Sequence, residues 1–395
     1  MLRKTILISG AGIAGPTLAY WLLRAGFTPV LVERAPEFRE GGYIIDFWGV
    51  GFDVAERMGL IPELRETGYM IDRMEFLSAG GKTRSAIGGN VLRRALGDRF
   101  LSIQRGDLAR AIYHTVEREM ETTFGDGITE IRDVEDGVEV NFERSPSRVF
   151  DLVVGADGLH SAVRGLLPMA HEPAEQYMGY YSASFLTSGY ERRTEHTYLS
   201  YAAPGRQISR YALRGNRTAF FFVFESANKI PKTIRDVTAQ KQILQEKFSV
   251  KPWREWPEIE SRLETCEDLY FDSVSQITLP TWSQGRIALT GDAAYCPSLL
   301  AGEGSAFAMA GAYILARELA HSGGDHIRAF AAYESRFRPF IERKQKSARA
   351  FASSFAPKTS FGLFVRDQVL QLSSIPFVGD LLMRSFVSDS LALPD

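Results

Sequence analysis

Three short stretches carry residues whose types and spacing serve ligand chemistry. The first is Gly10-Ala-Gly12-Ile13-Ala14-Gly15, which follows the apolar run Thr5 to Ser9 and opens a helix to about Gly26. Strand, glycine turn and helix in that order suit a dinucleotide. The glycines give a tight turn, room for a pyrophosphate and close helix–strand packing. The helix start offers free N–H groups and positive potential to phosphates. A second apolar run, Pro29 to Glu33, ends in a carboxylate placed for ribose hydroxyls. The second stretch is Gly155-Ala-Asp157-Gly158, after the run Phe150 to Val154, with Arg164 beyond it. A plain reading of that turn is a helix N-cap. The third is Gly291-Asp292, after Ile287 to Thr290, followed by Pro297, Gly302 and Gly304. Ligands of α/β sheets collect outside the carboxyl ends of the strands, so three such ends describe one site. The glycine motif alone leaves open whether the dinucleotide is FAD or a nicotinamide. The six His residues show no metal-ligand spacing. No metal is expected, and no residue is assigned as catalytic acid or base.

The elements that position these residues read as an α/β chain with a second sheet. After Glu33 the expected next βαβ repeat is missing. A loop and short strand around Tyr43 to Trp48 lead instead into a helix at about 50–58. Residues 71–86 alternate around Gly80-Gly81 as a hairpin. Phe100 to Ile103 is a strand before a helix opened by Arg105-Gly-Asp107, where Asp107 suits the helix dipole. Residues 128–142 read as a hairpin turning at Glu135-Asp136-Gly137. Tyr177–Thr187, His196–Tyr201, Ile208–Leu213 and Thr218–Phe224 read as antiparallel strands of a substrate lobe. Helices are expected at 236–248 and 257–264, with a strand at 268–275. Ser305–His321 and Asp325–Phe351 read as long helices. Arg336, Arg338, Arg343, Lys344, Lys346 and Arg349 on the second of these read as a solvated basic face. Phe361 to Val387 recur at roughly helical spacing, as a tail docked on the body or as a lid.

The bulk numbers narrow the class. The 395 residues are 45% hydrophobic and 24% charged, ordinary for one large or two smaller globular domains. A net charge of −2 carries no nucleic-acid signal. Two cysteines, Cys266 and Cys296, make no disulfide framework, so a reducing, cytoplasmic location is the expectation. Glycines interrupt the apolar N-terminus before it becomes a signal peptide, and no apolar stretch is long enough to span a membrane.

Taken together and in order, four landmarks resemble the single-component FAD-dependent monooxygenases of the para-hydroxybenzoate hydroxylase fold. They are the Gly10–Gly15 turn with Glu33, Arg105-Gly-Asp-Leu, Gly155-Ala-Asp157-Gly158 with Arg164, and Gly291-Asp292-Ala-Ala with Pro297. Within that family, Ala14-Gly-Pro16 with Tyr20-Trp21-Leu, the run Gly291 to Ser298 and Gly311 to Ala316 look closest to the tetracycline destructases. The resemblance implies a Rossmann-type FAD-binding domain (1–70, 99–168 and 282–350). It also implies a β-sheet substrate domain (71–98 and 169–281) and a C-terminal helical segment (351–395). It implies cofactor contacts at Gly10, Gly12, Ile13, Ala14, Gly15, Glu33, Arg34, Arg105, Asp157, Gly291, Asp292, Pro297, Gly302 and Gly304. NAD(P)H would reduce FAD, and O2 would add to the flavin C4a position to oxygenate an aromatic or polycyclic small molecule. The chain would act as a monomer or homodimer, without nucleic acid or membrane.

Two departures from many relatives stand out. Tyr295 and Glu303 replace a His and a Gln, and Phe47-Trp48 replaces polar residues. They point to a more apolar pocket, with Trp48, Tyr295 and Phe222 as candidate lining residues. A carboxylate at 303 disfavours an anionic flavin edge unless it points away. A reductase, cyclase or halogenase on the same scaffold, or a flavoprotein that only binds its ligand, are the competing expectations. The Trp-x-Trp-x-Ile motif of halogenases is absent, and no second Cys stands beside Cys296.

Overall fold

The computed structural model describes residues 4–38, 43–89, 94, 97–168, 174–192, 194–231, 236–250, 252–373 and 391–395. The chain is an α/β protein with a Rossmann-like region, an additional β-sheet domain and C-terminal helices. Its first unit is β1 (Thr5–Ser9), α1 (Ala14–Arg24) and β2 (Thr28–Glu33). The chain then leaves the βαβ pattern through β3 (Ile44–Phe47), α2 (Gly49–Arg57) and α3 (Ile61–Thr67). It forms the hairpin β4 (Arg73–Leu77) and β5 (Thr83–Gly88). It returns through β6 (Leu101–Gln104), α4 (Arg105–His114) and β7 (Glu121–Phe124). A three-stranded sheet follows, β8 (Ile128–Val134), β9 (Gly137–Phe142) and β10 (Arg148–Phe150). Then come β11 (Leu152–Gly155) and the short α5 (Ala162–Leu166).

The second sheet begins with β12 (Glu175–Ser188), β13 (Thr197–Ala203), β14 (Arg206–Leu213) and β15 (Arg217–Glu225). Helices α6 (Val237–Phe248) and α7 (Trp256–Thr265) precede β16 (Leu269–Ile277). The chain re-enters the first sheet at β17 (Ser283–Gln284) and β18 (Ile287–Leu289), then α8 (Asp292–Tyr295) and a 3-10 turn, Leu299–Ala301. Helices α9 (Gly304–His321), α10 (His326–Phe355) and α11 (Ser360–Ser373) complete it. The expected tail over Phe377 to Val387 lies outside the described residues. No described helix is long and apolar enough to cross a membrane.

The six-stranded sheet runs β17-β18-β11-β1-β2-β7, and every pair except β17–β18 is parallel. Ile6, Leu7, Ile8, Val153 and Val154 are fully buried, as covered parallel strands require. The outer strand β7 was not expected. Its sequence, Glu121-Thr-Thr-Phe124, is short and half polar, and only pairing with β2 makes it a strand.

The seven-stranded sheet runs β16-β12-β15-β14-β13-β4-β5. Its two faces differ because side chains alternate along a strand. One face carries Tyr181, Phe185, Leu199, Ile208, Phe220, Phe222 and Phe224, packed under α6 and α7 with Trp253 and Trp256. The other carries Ser182, Ser184, Ser200, Ser209, Tyr198, Phe221 and Tyr270. It is buried too, yet it is built from hydroxyls and rings.

Candidate active site

The three strand ends meet as expected. Gly10 sits at φ +109°, and a Cβ there would lie 2.6 Å from the Ala156 carbonyl oxygen. Only glycine lets the first and second turns approach so closely. A Cβ on Gly15 would come within 2.0 Å of the Gly10 oxygen, so this glycine is what lets α1 begin against β1. Gly12 faces open space, with the Arg105 guanidinium 3.6 Å from where its Cβ would be. The N-terminus of α1 has no side-chain cap and no acidic residue in its first turn, and neither does that of α9. Both leave helix N–H groups to be satisfied by something else. Ile13 and Ala14 are buried at the start of α1.

Glu33 is held by two backbone groups: Oε2 accepts from Ala11 N at 2.7 Å and Oε1 from Ala35 N at 2.8 Å. Arg34 turns outward and pairs with Glu143 at 3.5 Å. Arg105, at the first position of α4, receives no carboxylate or carbonyl acceptor among the described residues. Its charge nevertheless acts on Asp292, whose carboxyl is raised above the usual range by burial and partly drawn back by Arg105. Gly304 brings α9 close enough that a Cβ would sit 3.6 Å from Asp292 Oδ1. Gly291 and Gly302 adopt φ of +63° and +71°. Ser298, directly after Pro297, holds φ +124°, a conformation that non-glycine residues adopt only under constraint. A cradle with two open helix ends, an unpaired guanidinium and glycines at each close approach fits the pyrophosphate, ribose and ring of FAD.

Asp157 makes the contacts that the plain reading of its turn expects. Its Oδ2 accepts from Ala162 N at 2.7 Å and Val163 N at 3.1 Å, and Oδ1 accepts from the Ser161 hydroxyl. The carboxylate caps α5 and thereby shapes the Gly155–Gly158 turn. Arg164, nearly buried, ties that turn to the third strand end by donating to Leu159 O at 2.6 Å and Ala293 O at 2.9 Å.

Two pocket expectations are corrected. Tyr295 does not line a pocket. It is 1% exposed, its ring packs against Trp282 and Phe337, and its hydroxyl lies 3.0 Å from Thr290 Oγ1 and 3.3 Å from Tyr333 Oη. Phe222 is also buried on the wrong face, stacked on Phe185 under α6. Its neighbour Phe221 faces the site, 6.1 Å from Tyr43 and 6.5 Å from Phe355, ring centre to ring centre. A one-residue step along β15 reverses the face. Trp48 does stand by the third strand end, 4.0 Å from the Cβ position of Gly302.

The residues missed from sequence form the wall opposite the cradle. Tyr43 and Tyr270 lie 5.3 Å apart. Burial pushes Tyr43 up to about 12, against the pull of Arg105, and raises Tyr270 well above the ordinary value. Both phenols stay protonated and can donate. Ser182 and Ser184, opposite Asp272 and Tyr270 on β16, have buried hydroxyls; that of Ser184 has no hydrogen-bond partner among the described residues, and that of Ser182 lies by the Tyr270 phenol. Alternation along β12 and β15 was the signal that could have found them.

Glu303 raises no conflict, because Lys344 of α10 pairs with it at 2.7 Å. The supposed solvated basic face of α10 is likewise corrected. Arg336 bonds Glu318, Arg338 bonds Glu334 and Leu279 O, and Arg349 bonds Gln276 and Gln176. Cys296 is buried, and burial pushes its thiol well above the ordinary value with help from Asp292, so no thiolate is available. Among the described residues no group of His, Cys, Asp and Glu could hold a metal.

Fold and cradle define an FAD-binding protein with an additional β-sheet domain. A family model described as an FAD binding domain matches residues 3–346, and the chain belongs to that family. A flavin-dependent monooxygenase of Legionella longbeachae is 35% identical over 361 residues, 89% of this chain and 90% of its own. An uncharacterised protein of Mycobacterium tuberculosis is 35% identical over 347 residues, 87% of this chain and 92% of its own. The crystal structure of tetracycline destructase Tet(51) matches with a TM-score of 0.84 at 30% identity, over 100% of both chains. Klebsiella pneumoniae HpxO complexed with FAD and uric acid matches at 0.81 and 22% identity over 98% of each chain, a likeness of fold alone. The chain is thus a flavin-dependent oxidoreductase of the monooxygenase type, acting on an organic substrate.

Proposed function

We propose that the protein is an NAD(P)H-consuming monooxygenase that hydroxylates an aromatic or polycyclic small molecule, with polyketide- and tetracycline-like compounds foremost. The observation that carries this reading is the wall of half-buried rings and buried hydroxyls, Tyr43, Phe221, Tyr270, Ser182 and Ser184, set against the cradle at Arg105 and Asp292. Rings bind flat apolar molecules, and hydroxyls fix their oxygens. FAD, when bound and reduced, supplies the activation of O2. The chain's own residues bind and orient. Glu33 takes the adenosine ribose, and the α1 N–H groups and Arg105 take the pyrophosphate. Asp292 takes a sugar or ribityl hydroxyl, and the α9 N-terminus faces the ring. The aromatic wall keeps water from the reacting centre. The same reading places the protein in the cytoplasm as a monomer or homodimer. It divides the chain into 1–70, 99–168 and 282–350 for the cofactor, 71–98 and 169–281 for the substrate, and a C-terminal helical segment.

The test is a panel of phenols, polyketides and tetracyclines added to FAD-loaded protein with NADH or NADPH. The expected result is substrate-accelerated NAD(P)H oxidation and one labelled oxygen atom in the product under labelled O2. Product without label, or substrate binding without turnover, overturns it.

A further inference from the structure

The inner face of α11 carries charge where an amphipathic helix carries apolar side chains. Phe361, Phe364, Val365, Val369 and Leu372 point outward and are 43–74% exposed. Arg366 points inward, onto the serine-rich face of the seven-stranded sheet. Its Cζ lies 4.7 Å over the ring of Phe76 on β4, and Nη1 donates to Gln207 Oε1 of β14 at 3.1 Å and to Phe355 O at 3.3 Å. Nη2 donates to Asp367 at 3.2 Å. Its Nε–H is buried with no acceptor among the described residues. Ser85 stands opposite that same Phe76, on β5, and its buried hydroxyl also has no partner among the described residues. Among the described residues the charges do not balance. Asp367 is shared between Arg366 and Arg84, the latter at 3.3 Å, so one carboxylate faces two guanidinium groups. Arg84 is 42% exposed and is served by water, whereas the Arg366 side chain is 12% exposed.

We propose that Arg366 and Ser85 form an oxyanion subsite, which binds a carboxylate or enolate that the substrate carries away from the ring being oxidised. This deepens the reading of the site given above and rests on it. A buried donor without a partner is costly, whereas a guanidinium gains most from an anionic oxygen, through a charge-assisted bond. Nε–H and the Ser85 O–H, the two donors without a partner among the described residues, are the ones an oxyanion would take. The remaining Arg366 bonds, to Gln207, Asp367 and Phe355 O, hold the guanidinium in place. The subsite is set apart from the flavin end. Tyr270 and Ser184 lie on β16 and β12, while Arg366 rests over β14 and β4, two to five strand spacings away, or roughly 10–24 Å. A ligand that reaches both ends is an extended, multi-ring acid or enolate rather than a single phenol.

The experiment uses FAD-loaded protein and two probes, a hydroxyanthraquinone with a carboxylate on the distal ring and the same compound without it. Binding is read from the change in the bound-flavin spectrum, and retained FAD is measured separately. Loss of FAD therefore reports on the cradle, and loss of acid preference reports on the subsite. We expect the acid to bind at least about tenfold tighter, or about 1.4 kcal/mol. Arg366→Met should abolish that preference and leave the neutral probe within about twofold of wild type. Ser85→Ala, which breaks no existing hydrogen bond, should lower the preference by about threefold. Should Arg366→Met not be recovered folded, Arg366→Lys decides, because it keeps the charge and loses the Nε geometry, and it should weaken the preference. Equal binding of both probes by wild type, or a preference unchanged in Ser85→Ala and in the Arg366 variant, overturns the proposal.

Discussion

Asp292 carries a charge that its surroundings disfavour. Burial raises its carboxyl above the usual range, and Arg105 only partly opposes this. With a folded-state pKa above the unfolded one, the folded apoprotein holds a proton longer than the unfolded chain does. That contribution to stability is full below the unfolded value and is lost as pH rises through the folded one. Apoprotein melts from the acid range to neutral should therefore fall more steeply with pH in wild type than in Asp292→Asn. Asp292→Ala should lower the FAD retained on purification, because a sugar hydroxyl loses its acceptor. Tyr295 makes a second residue-scale test. A Cβ on Gly311 would meet its hydroxyl at 1.8 Å. Gly311→Ala should destabilise by about 1–3 kcal/mol in urea melts, as overpacking does. Tyr295→Phe should cost about 1 kcal/mol alone, yet recover part of the Gly311→Ala loss when combined with it. Strictly additive losses, or altered substrate kinetics in Tyr295→Phe, would return this ring to the pocket.

Among the elements, α5 depends on its cap. Asp157 accepts from two N–H groups at its start, and Ser161 Oγ accepts from Arg164 N at 2.9 Å. Asp157→Ala should cost about 1 kcal/mol, the usual value of a lost N-cap, and should weaken FAD binding by loosening the Gly155–Gly158 turn. The join between α9 and α10 depends on Glu303 and Lys344, whose side chains are 15% and 13% exposed. Removing one partner leaves a charge largely cut off from water. Glu303→Gln and Lys344→Met should each lose roughly 1–3 kcal/mol in thermal or urea unfolding, and the double variant less than their sum. Additivity would mean that the pair contributes nothing as a pair.

At the scale of the molecule, one buried seam joins the two sheets. Gln345 of α10 donates through Nε2 to Ile277 O at 2.8 Å, Cys296 O at 3.2 Å and Tyr295 O at 3.3 Å. Gln276 of β16 donates to Pro297 O at 2.7 Å and Gln345 O at 2.8 Å, and Arg349 bonds its carbonyl. The seam fixes the substrate sheet against the segment after Asp292. Gln345→Leu should strand several buried carbonyls, cost about 2–4 kcal/mol and lower FAD content and melting temperature together. A variant that lost stability but kept full FAD content would separate the seam from the site.

The sequence by itself determined the cradle. Glycine turns, a terminal carboxylate and apolar strands are local features, and Gly10, Gly15, Glu33, Arg105 and Asp292 occupy the places that local geometry requires. It also pointed to the strands of the second sheet, because alternation and turns are short-range, whereas their order, with β12 between β15 and β16 and β13 beside β4, came from tertiary pairing. Which way a strand faces is not local. Phe221 and Phe222 are chemically identical neighbours, and only the packing of α6 and α7 on one side decides that Phe222 is in the core and Phe221 beside Tyr43. The same holds for Tyr295, read as pocket from its place after Gly291-Asp292 but turned into the core by the space that Gly311 leaves. Apart from Glu334, one turn before Arg338, the basic stripe of α10 needed the partners Glu318, Glu303 and Gln276 from other elements before it could be told from a solvated face. Arg366 is the extreme case. On a helix with its apolar side outward, only tertiary packing revealed that the charged side is the one that looks inward.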